Sequence, residues 1–318
     1  MKLIYHLGYP RTGTTLLQKN IFERHQGINY LGPKYYDQDF KVKFKQKEID
    51  EIENFIISQN KNGEIDYNKL NSKIDIKKFS EKKVNILSSE KYLSFSRYRN
   101  YAGLIALKNF LKEKSDLKLK IFYIIRNQYE LIQSLYHQGY SSLKKYLECY
   151  NLEELISKIE EKNFNENENI YHFLKSYDFN YMFNIIQKSF PDAEIKIFNY
   201  NNLRDNSHEF FKNLTDFMEI NFEEFIKLIP SKKENSSRLV NNTRILESEF
   251  QRVIRLNKFY QFVKPVIPNK LRAFIRDRFY KRETINFDKE LSQKKVIQQF
   301  YLESNNEFQN KTGMKVIW

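Results

Sequence analysis

Four short apolar runs, Lys2–Leu7, Val84–Leu87, Leu119–Ile125 and Glu194–Phe198, are separated by longer segments whose apolar residues recur at helical spacing. That alternation constrains the fold more than any other feature. Short buried strands joined through helices specify a parallel sheet wound by right-handed crossovers. The run Leu-Lys-Ile-Phe-Tyr-Ile-Ile at 119–125 is the strongest buried-strand signal. Leu16, Leu17, Ile21 and Phe22 predict a helix after Thr14, and Leu104, Leu107 and Leu111 another within 97–114. Leu131, Ile132 and Leu135 predict a third, and everything beyond about Phe210 reads as helical. With only 8 Gly and 6 Pro in 318 residues, the chain is too poor in turn formers to be collagen-like, low-complexity or a turn-dense all-β protein.

At 38.7 kDa the chain is long enough to bury a substantial core. One large domain plus an extension is expected, with a core over 1–235 and a helical extension over 236–318. The single cysteine, Cys149, excludes an internal disulfide framework and reads as a structural residue. The first apolar run is too short for a signal peptide, and no run reaches the roughly 18 apolar residues of a spanning helix, so a cytoplasmic protein is expected. The net charge is +14, and it is segregated. Between Arg238 and Arg282 stand twelve basic residues against three acidic ones, which points to an anionic partner such as nucleic acid, lipid headgroups or an acidic polymer.

Ligands of parallel sheets bind beyond the carboxyl ends of the strands. Three positions should therefore open on one edge: the loop after Leu7, the Ser88-Ser89-Glu90 turn and Arg126. The first, Gly8-Tyr9-Pro10-Arg11-Thr12-Gly13-Thr14-Thr15, joins a strand to a helix with the Gly-x4-Gly spacing of a phosphate-binding loop. A nucleotide triphosphate loop continues with Lys and then Ser or Thr. Here Thr14 follows Gly13 and the cation comes earlier, at Arg11, with no strand-end Asp to hold magnesium. The loop suits an anion less charged than magnesium-triphosphate, and the same residues also fit an ordinary strand-to-helix turn with a Thr-rich cap. The fold expected is α/β, a P-loop-like three-layer arrangement with a central parallel sheet and the helical C-terminal extension.

Tyr9–Thr15 resembles the donor loop of sulfotransferases that use 3′-phosphoadenosine 5′-phosphosulfate (PAPS), which reads Tyr-Pro-Lys/Arg-Ser/Thr-Gly-Thr-Thr. Their second signature is a strand-end Arg-Asn-Pro with a Ser eight positions on, and Arg126-Asn127-Gln128 with Ser134 is similar to it. Together with Ser88-Ser89-Glu90, these motifs look most like bacterial sulfotransferases associated with surface polysaccharides. The resemblance implies that Thr12, Gly13, Thr14 and Thr15 hold the 5′-phosphosulfate through amides and hydroxyls. It implies that Arg126 and Ser134 grip the 3′-phosphate and that adenosine 3′,5′-bisphosphate is the product, with no metal required. Arg11 stands where many members have Lys. It cannot give up a proton, so its role is electrostatic. Leu16 replaces the Trp of small-phenol members, and no Arg-Lys-Gly triplet appears late in the chain, the nearest candidate being Asn235-Ser236-Ser237-Arg238. These departures lean toward carbohydrate or glycolipid acceptors.

The family places its base soon after the strand that follows the donor loop, and Glu90 stands there. Glu90 reads equally as a carboxylate favoured at a helix N-terminus. His137 is a second choice of base, His6 reads as a packed core residue, and His25, His172 and His208 have no partners at metal-ligand spacing. In Pro268–Arg282, Leu271, Phe274, Ile275 and Phe279 form an apolar stripe among Lys and Arg. Such a helix suits the inner face of an anionic membrane, an acidic glycan, or simple docking on the core. No recognised nucleic-acid motif is present. Two rivals to sulfuryl transfer remain at this point: a magnesium-dependent phosphotransferase, and a non-catalytic binder of acidic polymers.

Overall fold

A computed structural model describes residues 1–32, 34–35, 42–44, 76–90, 102–137, 141–162, 164–165, 168–230, 239–240, 243–246, 281–284 and 287–318. The chain divides into two compact units. The first comprises Met1–Asn127, His172–Glu234 and Leu302–Trp318, and the second comprises Gln128–Tyr171 and Asn235–Tyr301.

The first unit is built on five strands: β1 (Lys2–Leu7), β2 (Ile28–Tyr30), β3 (Val84–Ser89), β4 (Lys118–Ile125) and β5 (Glu194–Asn199). They pair in the order β2-β3-β1-β4-β5, all parallel. The four expected runs are thus the four longest strands of a mixed α/β, P-loop-like fold. β2 is a fifth strand that the sequence reading did not anticipate. The winding changes direction at β1, which lies between β3 and β4, so the loop leaving β1 sits at the switch point of the sheet.

Alternation along each strand separates two apolar layers. From one face Ile4, Ile86, Phe122, Ile124 and Phe198 pack with Leu17, Ile21 and Phe22 and with Phe210, Leu214 and Phe217 of α5 (Ser207–Met218). On the other face Tyr5 donates to the main-chain oxygen of Leu104 (3.0 Å) and meets the ring of Phe190 edge-on. These contacts reach α2 (Ala102–Lys114) and the residue that caps α3 (Phe179–Ser189). After β1 the chain makes a turn of α-helix, α1 (Thr14–Leu16), that continues as π-helix over Leu17–Phe22.

Opposite the strands' carboxyl ends, Glu219 closes α5 in the left-handed region at φ 57°. It accepts from Lys2 (2.5 Å), Lys118 (2.7 Å) and Lys120 (2.9 Å), which hold its carboxyl well below the usual range. The end of α5 is thereby fixed to β1 and β4.

In the second unit, the helix Phe287–Phe300 packs on the helices Leu152–Glu160 and Gln128–His137. Tyr129 Oη donates to Gln293 Oε1 (3.4 Å), and Lys289 pairs with Glu153. Leu239–Val240, Thr243–Leu246 and Lys281–Thr284 form a three-stranded antiparallel sheet where helix was expected. The β-branched Thr243 and Ile245 favour that extended pairing. Lys281 and Arg282, placed by the sequence reading at the end of an amphipathic helix, lie in the last of these strands, whereas Pro268–Tyr280 and Asn235–Arg238 fall outside the described residues.

Candidate functional site

Strand register assembles the site. Leu7 is level with Ser89, so Gly8 and Glu90 emerge side by side, and Ile125 is level with Asn199, so Arg126 and Tyr200 do the same. Gly8 has no room for a side chain. A Cβ there would stand 2.9 Å from Thr14 Cγ2 and 3.4 Å from Glu90 Cγ. Gly13 adopts φ 85°, which disfavours other residues, and a Cβ on it would meet Leu203 Cδ2 at 3.0 Å.

Between the two glycines the loop is tied to itself. Thr12 Oγ1 and Thr14 Oγ1 both donate to the main-chain oxygen of Tyr9, at 2.8 and 3.1 Å. Those two hydroxyl protons, which the family resemblance directs at the phosphosulfate, are therefore spent inside the loop. That leaves the loop's main-chain N–H groups and the Thr15 hydroxyl as candidate donors to an anion. Gly13 makes no side-chain cap for α1, which leaves the helix N-terminus to an anion.

Arg11 is half-buried and holds φ 69°, a conformation uncommon for a residue with a side chain. Its guanidinium acts on Glu90. Burial pushes the Glu90 carboxyl up to about 7, and the nearby positive charge of Arg11 pulls it partly back. A carboxylate poised near neutrality beside a fixed cation suits a general base.

Arg126 leaves β4 and reaches this loop. Its Nη1 donates to the main-chain oxygen of Arg11 (3.3 Å), and its guanidinium lies over the Tyr200 ring, 4.8 Å from the centroid. Tyr200 and Leu203 belong to α4 (Tyr200–Asp205), which starts where β5 ends, with Asn199 accepting from the Asn201 N–H (2.9 Å). The apolar run at Glu194–Phe198 predicts β5 without marking its end as part of the site. An aromatic directly after a predicted strand, at the same sheet edge as the loop, was the available signal.

Arg11, Thr12, Gly13, Thr14, Glu90 and Arg126 are thus brought together in the first unit, with Thr15 on the first turn of α1. Ser134 lies in the second unit, half-buried on the helix Gln128–His137. The side chain of His137, the second-choice base, lies outside the described residues.

Beneath the loop His6 is fully buried, stacked on Phe122 (4.4 Å) with Nδ1 2.7 Å from Ser88 Oγ. Gln18 of the π-helix donates to the same oxygen (2.9 Å) and so ties it to β3. Burial lowers the His6 pKa to about 3, so the ring is neutral in the fold. An unfolded His titrates near 6.5, so between about 6.5 and 3 the unfolded chain binds a proton that the folded chain does not. This contribution is present above about pH 6.5 and is lost as the pH falls toward 3. Glu90, with its raised pKa, acts in the reverse sense between about 4.5 and 7. Urea unfolding at pH 7 and pH 5 should therefore show a smaller acid-side loss for His6→Phe than for the native chain, by roughly 1.4 kcal/mol per pH unit at most. Equal losses would show that His6 is not the group responsible.

Among the described residues no cluster of His, Cys, Asp or Glu is arranged to hold a metal ion, and no helix is long and apolar enough to cross a membrane. A family model described as a sulfotransferase domain matches residues 4–291. No curated protein matches the chain. Among solved structures, it is similar to a sulfotransferase from Alicyclobacillus acidocaldarius, 14% identical over 69% of this chain and 81% of that one, with a TM-score of 0.42. It is also similar to the sulfotransferase domain from the Curacin biosynthetic pathway, 14% identical over 72% of this chain and 78% of that one, with a TM-score of 0.38.

Proposed function

Because the chain belongs to the sulfotransferase domain family, we propose that it moves a sulfuryl group from PAPS to the hydroxyl of a carbohydrate or glycolipid. The observation that carries this reading is the meeting of Arg11 and Glu90 at an anion loop whose Arg11 carbonyl is bonded by Arg126. The residues present fit such a donor. Two glycines keep the cradle open, the start of α1 has no side-chain cap, and a guanidinium stacked on Tyr200 offers planar donors to a phosphate.

Bound in this cradle, the donor supplies an activated sulfuryl group on a phosphate leaving group. The N–H groups of Thr12 through Thr15 hold the phosphosulfate. Arg126 takes the 3′-phosphate. Glu90 accepts the proton of the acceptor hydroxyl as its oxygen attacks sulfur. Arg11, permanently charged, stabilises the negative charge that grows on the departing phosphate oxygen. A sulfuryl group carries less charge than a terminal phosphate, so amides and one fixed cation match it. A saccharide acceptor is favoured by Leu16, which stands where small-phenol members carry a stacking Trp. Contact of the basic 268–282 stretch with an anionic membrane surface belongs to the same proposal.

The test is thermal unfolding of the native chain with nucleotides. Adenosine 3′,5′-bisphosphate should stabilise it by about 2.7 kcal/mol at a hundredfold excess over Kd, well beyond the effect of adenosine 5′-phosphate at the same concentration. Equal shifts, or none, overturn the donor assignment. A larger shift with magnesium-ATP would indicate a phosphotransferase instead.

A further inference from the structure

Arg126 bridges two parts of the site. One side of its guanidinium meets the Tyr200 ring, while Nη1 donates to the carbonyl of Arg11, a residue 115 positions away in sequence. Arg11 is itself in an unusual state. A non-glycine residue in the left-handed region is disfavoured and persists where its surroundings over-determine it. Within the loop, the Thr12 and Thr14 hydroxyls both close on Tyr9. The bond to the Arg11 carbonyl comes from β4, through Arg126.

The peptide held by Arg126 is thus the one that carries the Arg11 side chain, and that side chain sets the charge around Glu90. A guanidinium has five N–H donors in a fixed fork, so a phosphate can be bound while the carbonyl bond is kept. Phosphate on one edge of the fork and Tyr200 beneath it would leave the guanidinium fewer ways to move, and the Arg11 peptide with it.

Resting on the sulfotransferase reading above, we propose that Arg126 is a positioning residue for the transfer step as well as a phosphate contact. Its grip on the donor's 3′-phosphate fixes the Arg11 backbone and so aims the Arg11 guanidinium at the reacting end. Binding energy from a remote group is then spent where the bond breaks, and a donor lacking that group loses turnover as well as affinity. A misplacement of about 1 Å at a reacting centre costs on the order of a hundredfold in rate.

The experiment compares PAPS with adenosine 5′-phosphosulfate, which lacks the 3′-phosphate, each at saturation, using radiolabelled sulfate and a preparation of the host's surface glycans as acceptor. For the native chain, kcat with the truncated donor should be about 10- to 100-fold lower than with PAPS. In Arg126→Ala, kcat with PAPS should fall to the truncated-donor level, so that the two donors turn over alike. The rising limb of the pH–rate profile should also move to higher pH, because a displaced Arg11 no longer pulls the Glu90 pKa down. Arg126→Lys retains a point charge for the phosphate but not the fork. It should keep most donor affinity while losing turnover, and it serves if the alanine variant does not fold. A rise in donor KM with kcat and the pH profile unchanged in either variant overturns the positioning role and leaves the donor assignment standing. Failure of the native chain both to bind adenosine 3′,5′-bisphosphate and to transfer sulfate removes the donor reading, and this inference with it.

Discussion

Replacing Glu90 by Gln is expected to lower sulfuryl-transfer turnover by about 10²- to 10⁴-fold, the range for loss of a positioned general base. Gln keeps the shape and the hydrogen-bonding edge but cannot accept a proton from the acceptor hydroxyl. Binding of adenosine 3′,5′-bisphosphate should change little, since the amides after Arg11 and the Arg126 guanidinium are untouched. The native pH profile should carry the same signature: kcat/KM rises with pH as Glu90 ionises, with a midpoint near 7 in the free protein. An anionic donor in the cradle favours the protonated carboxyl, so the midpoint in kcat should lie higher than in kcat/KM. Radiolabelled transfer at saturating donor, from pH 5.5 to 8.5, measures both. Near-native turnover in Glu90→Gln would remove it as the base and direct attention to another carboxylate or to His137.

The second large effect is on stability. Phe122 is fully buried in interior strand β4, stacked on His6 and in edge contact with Phe22 (6.5 Å), Phe198 (5.9 Å) and Phe217 (6.1 Å). Phe122→Ala should cost about 3–5 kcal/mol, because the removed ring leaves a cavity among neighbours held by four different elements. Urea unfolding of the native and variant chains measures it. The same substitution strips the stacking partner from His6, whose bond to Ser88 lies two residues from Glu90. Donor affinity in the variant should therefore weaken even where the fold survives. A loss below about 1 kcal/mol would mean that the neighbours close over the gap.

The sheet was legible in the sequence for a physical reason. Parallel strands covered on both faces read as continuous apolar runs, so β1, β3, β4 and β5 stood out with nearly their final limits. β2 did not, because Ile28–Tyr30 is three residues long with Asn29 at its centre, and at the sheet edge it has one neighbour to satisfy. The chemistry-bearing residues could be placed at one edge because parallel strands end together. Which atoms meet there could not. That Thr12 and Thr14 close on Tyr9, that Tyr200 supports Arg126 and that Leu203 crowds Gly13 all depend on register between segments far apart in the chain. The expectation of helix beyond Phe210 failed at 239–240, 243–246 and 281–284 for a related reason. Those strands are too short for a period-2 signal and are defined by pairing with each other.

The first unit is completed late in the chain. Its last helix, α6 (Leu302–Thr312), lies on α3, with Phe308 fully buried against Phe179 and Phe183. Lys311 bonds Asn180 and Asn184, and Asn180 donates to Glu307. During translation, every strand of the sheet leaves the ribosome before the piece that covers α3 is made. A nascent chain stopped at residue 301 would present Phe179 and Phe183 uncovered, as an apolar surface for chaperones to recognise, with the donor loop already synthesised.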